Sequence, residues 1–448
     1  MDATFLARLQ FAFTIGFHYI FPPINIGMGL VLVLMEGAYL RTRNPVWQQA
    51  TKFWVRIFSL VFAIGVATGI VMEFQFGTNW SAYSRFVGDV FGSALAAEGI
   101  FAFFLESGFL GLLLFGWDKV GPTMHFVSTV AVAFGAHFSA IWITVANSWM
   151  QTPAGFHLVG EGLARRAETT SFWQVVFNPS ALDRLAHTIV GAWQAAAFFV
   201  LSVAAFYLLR NRHRDFAVVS MKVGLLVAVV ASLGSLLTGH RSAIVVAEHQ
   251  PAKLAAMEGV YADNAPAGLH LFGWVDEDSR QVIGLEIPGL LSWLAYGDSA
   301  HPVRGLDAFP PEDLPPVNAT FQAFHLMVGI GMFLILLSLV GALLLRGGRL
   351  YQARWLLWIF VFAVVLPQLA NQLGWATAEI GRQPWIVYGL MRVQQAASPS
   401  VAAGEVLTSL LLFGVIYLLL FALFVYLLDR KIRKGPLAED LETDVHRA

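Results

Sequence analysis

Apolar residues in this chain fall into nine long blocks, with no sustained alternation of the strand kind. The blocks lie roughly at 8–39, 55–76, 94–116, 125–148, 185–209, 217–238, 321–345, 354–373 and 406–428. Each is near or above the ~20 residues that a helix needs to cross the hydrocarbon layer. The longest of the stretches between them is at about 239–320. That stretch holds much of the chain's Pro, Asp and His, including Phe309-Pro310-Pro311-Glu312-Asp313-Leu314-Pro315-Pro316. A segment of this length without clear periodicity is usually functional or disordered. The pattern predicts an all-α integral membrane protein, a bundle of nine transmembrane helices.

Composition agrees. The 448 residues are 57% hydrophobic, 14% aromatic and only 13% charged, against about 25% charged in ordinary soluble domains. Phe (37) and Trp (14) are abundant, as expected where rings meet lipid, a flat cofactor or one another. A net charge of −1 argues against nucleic acid as a partner. Cys is absent, which excludes disulfides, thiolate ligands, iron–sulfur clusters and covalently attached c-type haem. The first apolar run is long and lacks a small-residue cleavage site, so no cleavable signal peptide is expected.

Charge orients the bundle. Arg41, Arg43, Lys52 and Arg56 follow the first span; Arg210, Arg212, Arg214 and Lys222 surround the loop after the fifth. Arg346, Arg349 and Arg354 follow the seventh, and Arg430, Lys431, Arg433 and Lys434 follow the ninth. Short loops rich in Lys and Arg stay in the cytoplasm, and nine spans put all four groups on one side. The N-terminus is then expected outside and the C-terminus in the cytoplasm. The organisation that follows is helices one to six over 1–238, an extracytoplasmic segment over 239–320, helices seven to nine over 321–428 and a cytoplasmic tail over 429–448. No inverted repeat of the transporter kind is visible.

Ionisable and soft side chains inside spans are costly unless something binds them. His18, Glu98, Glu106, His187, Met327 and Glu379 sit within or at the edge of spans. His18 lies about ten residues into span one, roughly 15 Å of helix. His187 is in the first turn of span five, Met327 in the second turn of span seven, Glu98 in the first two turns of span three, and Glu379 just after span eight. Five candidates on five spans therefore share the outer half of the membrane, which scattered core residues would not do. Glu106 is eight residues beyond Glu98, about 12 Å deeper on a face turned by roughly 80° in a regular helix. Imidazole and thioether ligands beside carboxylates suggest haem iron and a proton path. Each residue also has a bland reading: a lone membrane His such as His137 is more often a helix–helix hydrogen-bonding group, and a lone Met is more often core.

At this point the chain resembles subunit I of the cytochrome bd-type quinol oxidases over essentially its whole length. The matching stretches are Thr68-Gly69-Ile70-Val71-Met72-Glu73-Phe74-Gln75-Phe76-Gly77-Thr78-Asn79-Trp80, Ala97-Glu98-Gly99 and Phe104-Leu105-Glu106-Ser107. Two more follow, Gln250-Pro251-Ala252-Lys253-Leu254-Ala255-Ala256-Met257-Glu258 and Gly381-Arg382-Gln383-Pro384-Trp385. The resemblance implies that His187 and Met327 are the axial pair of a low-spin haem b. It implies His18 as ligand of one high-spin haem, by preference haem b, and Glu379 as ligand of another, haem d or a third haem b in its place. Glu98 is implied as a haem ligand or proton donor, Glu106 and Ser107 as a relay from the cytoplasm. Trp375 and Arg382 match residues packed beside the haems, and Lys253 and Glu258 match the quinol-site residues of the outer segment. The implied partners are subunit II, a small single-span subunit, quinol (ubiquinol or menaquinol) and dioxygen, in a bacterial cell membrane. The implied reaction oxidises quinol at the outer face and reduces dioxygen to water with protons from the cytoplasm, building a proton-motive force without a pump.

One position departs from the common pattern: His325 stands where Arg is usual, two residues before Met327. An always-charged fork becomes a group that titrates near neutral pH, which puts a propionate salt bridge there in doubt. The outer segment resembles the short-loop type, a group that includes cyanide-insensitive oxidases. Two rival readings are a quinone-linked membrane cytochrome b that only transfers electrons and a proton-coupled secondary transporter. The first would need His–His pairs and has no use for buried Glu98, Glu106 and Glu379. The second needs broken helices and repeat symmetry.

Overall fold

The computed structural model describes residues 2–441; of the expected tail, 442–448 lie outside the described residues. Among the described residues nine helices are long and apolar enough to cross a membrane: Ala3–Thr42, Pro45–Thr78, Ser81–Phe115, Pro122–Gln151, Ala181–Leu209, Arg214–His249, Pro311–Arg346, Arg354–Ile380 and Ala403–Lys434. They are called spans one to nine below. Each coincides with one apolar block of the sequence, and most extend beyond it. Span three starts at Ser81 and span six runs on to His249, so neither end is marked by hydropathy.

Two spans are broken in mid-length, both at proline; span seven is interrupted nearer its start, over 314–316, before its long helix Val317–Arg346. Span one consists of Ala3–His18 and Phe21–Thr42. Pro22 and Pro23 have no N–H for the carbonyls of His18 and Tyr19, and their rings crowd those carbonyls. His18 therefore closes the first segment. Span eight consists of Arg354–Phe362 and Val365–Ile380, and Pro367 does the same to the carbonyl of Ala363.

The core is lopsided. Phe21, Met28, Trp54, Phe58, Phe198, Phe216 and Phe360 are fully buried and belong to one cluster with Leu334, Leu337 and Leu357. A smaller buried cluster with Leu6, Trp80, Tyr83, Phe86 and Trp149 lies at the end opposite the turns after spans one, five and seven. The residues of the larger cluster named above, apart from Phe21 midway along span one, lie in the half nearest those turns. Spans approach closely there: a Cβ on Gly27 would stand 2.4 Å from the Ala192 carbonyl oxygen and 2.6 Å from Ala196 Cβ, the small-residue contact that lets membrane helices pack without a hydrophobic drive. The tail is pinned at this end as well. Arg56 pairs with Asp440 at 2.8 Å, Gln49 donates to the Leu437 carbonyl at 2.9 Å, and the Tyr207 hydroxyl donates to the Ile432 carbonyl at 2.5 Å. The basic turns and the end of span nine thus share one face of the bundle.

The opposite face carries the N-terminus and the 239–320 segment, which is ordered. A short helix, Pro251–Glu258, follows span six directly. A hairpin of Leu269–Asp276 and Gln281–Ile287 comes next, antiparallel. His325 on span seven holds this hairpin, its Nε2 lying 2.8 Å from the His270 carbonyl oxygen.

Candidate functional site

The half of the bundle toward the N-terminal face is lined by polar side chains. His18 ends the first helical segment, and its Nδ1 lies 2.9 Å from Thr68 Oγ1 on span two. His187, in span five, repeats the arrangement with Thr238 Oγ1 of span six, also at 2.9 Å. Each imidazole keeps its Nε2 without a hydrogen bond among the described residues. On span seven, Met327 turns its sulfur toward span eight, where a Cβ on Gly374 would stand 3.0 Å from it. A free Nε2 and a thioether are the donor set that haem iron takes.

Between the two imidazoles lies a charged cluster. Trp375 meets Tyr19 edge-on, ring centroids 5.5 Å apart, and the Arg184 guanidinium stands over its ring at 5.7 Å. Arg382 pairs with Glu379, Asn147 donates to the same carboxylate at 3.1 Å, and Arg184 donates to Asn147. Arg382 is 3% exposed, yet its Nε and Nη1, and Nε of Arg184, have no hydrogen-bond partner among the described residues. Buried guanidinium donors left open cost free energy unless an anion completes them. These orphaned donors, beside open imidazole nitrogens, fit the propionates and iron of a haem-type group.

Glu98 and Glu106 lie in span three. The helix starts at Ser81 and so carries Glu98 to mid-span, about 25 Å along its axis, and not into the first two turns. A π-helical segment over Glu98–Phe103 adds one residue to a turn. That offsets about 100° of rotation, so the two carboxylates share a face where a regular helix would set them roughly 80° apart. Both meet span four: Ser139 donates to Glu98 at 2.6 Å, and a Cβ on Gly135, one turn away, would stand 2.9 Å from Glu106 Cβ. The Ser107 hydroxyl donates to the Phe103 carbonyl at 2.6 Å, and the hydroxyl in contact with Glu98 is that of Ser139.

Lys253 and Glu258 share the Pro251–Glu258 helix but face different neighbours. Lys253 is 4% exposed and donates to Gln151 Oε1 at 2.6 Å. Burial, then the nearby Arg184 and Arg382, pushes its ammonium well below the ordinary lysine range. Glu258 is 2% exposed, its Oε2 has no hydrogen-bond partner among the described residues, and burial raises it to about 8. That oxygen lies 3.9 Å from His325 Nε2. His325 has Nδ1 at 2.9 Å from the Phe321 carbonyl and Nε2 on the His270 carbonyl, so neither ring nitrogen is left for a propionate. A groove of about 590 Å³ runs from His325 and Gln322 past Leu326, Gly329, Ile330 and Phe333.

Several polar residues of the bundle were not singled out by sequence. Thr68, Thr238, Arg184, Asn147 and Gln151 carry ordinary polar side chains that no spacing rule selects. Glu36 and His125 form a fully buried pair at 2.6 Å, each 1% exposed, with Thr129 donating to the same carboxylate. His137 takes the bland role: Nδ1 lies 2.7 Å from the Ala133 carbonyl and Nε2 accepts from Trp193 at 2.8 Å.

Fold and site together define a multi-pass helical membrane protein with buried imidazole, guanidinium and carboxylate groups gathered in one half. A family model described as cytochrome bd terminal oxidase subunit I matches residues 6–436, and the chain belongs to that family. It is 42% identical to the cytochrome bd ubiquinol oxidase subunit 1 of Bacillus subtilis (strain 168), covering 97% of this chain and 94% of that one. It is 35% identical to the cytochrome bd-II ubiquinol oxidase subunit 1 of Escherichia coli (strain K12), covering 98% of each. The solved bd oxidase structure from Geobacillus thermodenitrificans superposes with a TM-score of 0.90 at 31% identity, covering 97% of this chain and 99% of that one. The chain is thus a multi-pass bacterial membrane oxidoreductase subunit of a haem-dependent terminal oxidase.

Proposed function

We propose that this subunit oxidises a membrane quinol at the face carrying the N-terminus and the 239–320 segment, and houses the reduction of dioxygen to water. The observation that carries the reading is the pair of imidazoles, each anchored through Nδ1 with Nε2 open to the same lined half. His187 with Met327 would hold a low-spin haem b, His18 a high-spin haem b, and Glu379 a haem d or a third haem b in its place. Haem bound there supplies electron transfer from quinol and an open iron position for dioxygen.

The chain's own residues divide the remaining work. Glu258, with one oxygen unpartnered and its acidity weakened by burial, takes a proton from the quinol hydroxyl. Lys253 holds a quinol oxygen by hydrogen bond, and the groove below His325 admits the apolar tail from the lipid. Arg382 and Arg184 offer donors to the propionates. Glu98 and Glu106, on one stripe with Ser139, carry protons toward the reduction site. The four basic clusters sit on one face, which supports its placement in the cytoplasm. Protons are then released outside and taken up from inside, so charge separates without a pump.

Span two presents Glu73 between exposed Ile70 and Phe74, and span three presents Phe101 and Phe104. A carboxylate on an open membrane face needs a protein cover, so subunit II packs there, with room for a small single-span subunit.

A dithionite-reduced minus air-oxidised spectrum of membranes holding the complete oxidase, repeated with carbon monoxide, tests the reading. A low-spin b band with a carbon monoxide-sensitive high-spin signal is expected. Low-spin haem with no carbon monoxide response would leave a quinone-linked electron carrier instead.

A further inference from the structure

We propose that Thr68 and Thr238 are matching positioning residues, each fixing the tautomer and ring orientation of one iron-binding imidazole. The assignment rests on the reading of His18 and His187 as ligands. A threonine hydroxyl has one hydrogen to give. That of Thr68 points back at its own helix, toward the carbonyls of Ile64 and Gly65, both at 3.0 Å. That of Thr238 points at the Gly234 carbonyl at 2.8 Å. What each hydroxyl shows the imidazole is therefore a lone pair, and the ring nitrogen opposite it must bring the hydrogen. His18 and His187 both meet their threonine through Nδ1 at 2.9 Å. A neutral imidazole has one N–H, so Nε2 is left as the bare donor in both.

The residue after each threonine completes the device. A Cβ on Gly69 would stand 3.3 Å from His18 Cε1, and one on Gly239 3.4 Å from His187 Cε1. The dipeptides Thr68-Gly69 and Thr238-Gly239 thus offer an acceptor on one side and an empty slot on the other, and the ring fits one pose. The β-branch of threonine, held by its bond to the preceding turn, keeps the acceptor from swinging away. Spans one and two, and spans five and six, carry the same trio at chain separations of 50 and 51.

A hydrogen bond at Nδ1 raises the basicity of Nε2 and favours the oxidised metal. In the purified oxidase, Thr238→Val should keep the low-spin band but shift its midpoint potential upward, while Thr238→Ser should titrate like the parent. A Thr238→Val titration superimposable on the parent's would overturn the assignment. His187→Ala separates the two layers: retention of the low-spin band there would overturn the ligand reading itself. If Thr238→Val does not accumulate, Thr68→Val puts the same question to His18 through the iron–histidine stretching frequency of the reduced high-spin centre. A lower frequency supports the assignment, and an unchanged one overturns it.

Discussion

Glu98 and Glu106 face the same stripe of span four, one held by Ser139 and the other packed at Gly135. Without the π-helical turn between them they would diverge by roughly 80°, about a quarter of the way around the helix. Glu106→Gln should keep the haem spectrum and slow oxygen reduction by one to two orders of magnitude, about 1.4 kcal/mol per tenfold. Single-turnover oxygen reactions with charge-separation recording would check it; normal turnover with normal charge movement would sink the relay.

Met327→Leu should remove the six-coordinate low-spin signal and quinol oxidation together. The high-spin centres, on the proposed reading held by His18 and Glu379, should persist. Absorption spectra of the purified variant decide it, and an unchanged low-spin band removes Met327 as a ligand.

Glu258 provides a pH signature. Burial raises it to about 8, and only the ionised carboxylate can accept a proton, so roughly a tenth is competent at pH 7. Activity at limiting quinol should climb as pH rises through about 8 and level off above it. Glu258→Gln should flatten that limb and lower kcat/KM without haem loss. A limb surviving in Glu258→Gln would assign the titration elsewhere.

Glu36 and His125 offer a stability test away from the haem half. Removing one partner of a buried pair strands the other, so Glu36→Leu should destabilise the bundle by about 3 kcal/mol. The double change Glu36→Leu with His125→Leu should recover much of that loss, since no stranded group remains. Denaturation of the detergent-solubilised oxidase measures both; a double variant no better than the single would mean that the pair's geometry, and not its polarity, is what the site needs.

The spans were legible because hydropathy over ~20 residues is a strong local signal. So was the sharing of one half by His18, His187 and Met327, which follows from counting along helices of known rise. Three features were not. Pro22 and Pro23 are visible in the sequence, but an unbroken apolar run over 8–39 hides the break that ends a helix at His18. The π-helical turn at Glu98 leaves no compositional trace, so a uniform 100° per residue set Glu98 and Glu106 apart. Thr68 and Thr238 are single polar residues in apolar helices, chosen by which imidazole folds against them, and only the tertiary contact reveals that. Lys253 and Glu258 read as a pair in sequence; five residues of helix turn them toward different spans.

The lopsided core has an electrical consequence. A half packed with Phe, Trp and Leu side chains is weakly polarisable, whereas the half lined with guanidinium, amide and imidazole groups responds to a field. Under a membrane voltage, the less polarisable material carries the larger share of the drop, and moving an elementary charge through the full potential takes about 2.3 kcal/mol per 100 mV. Trp54, Phe58 and Phe216 are, in that sense, part of the insulation of a capacitor.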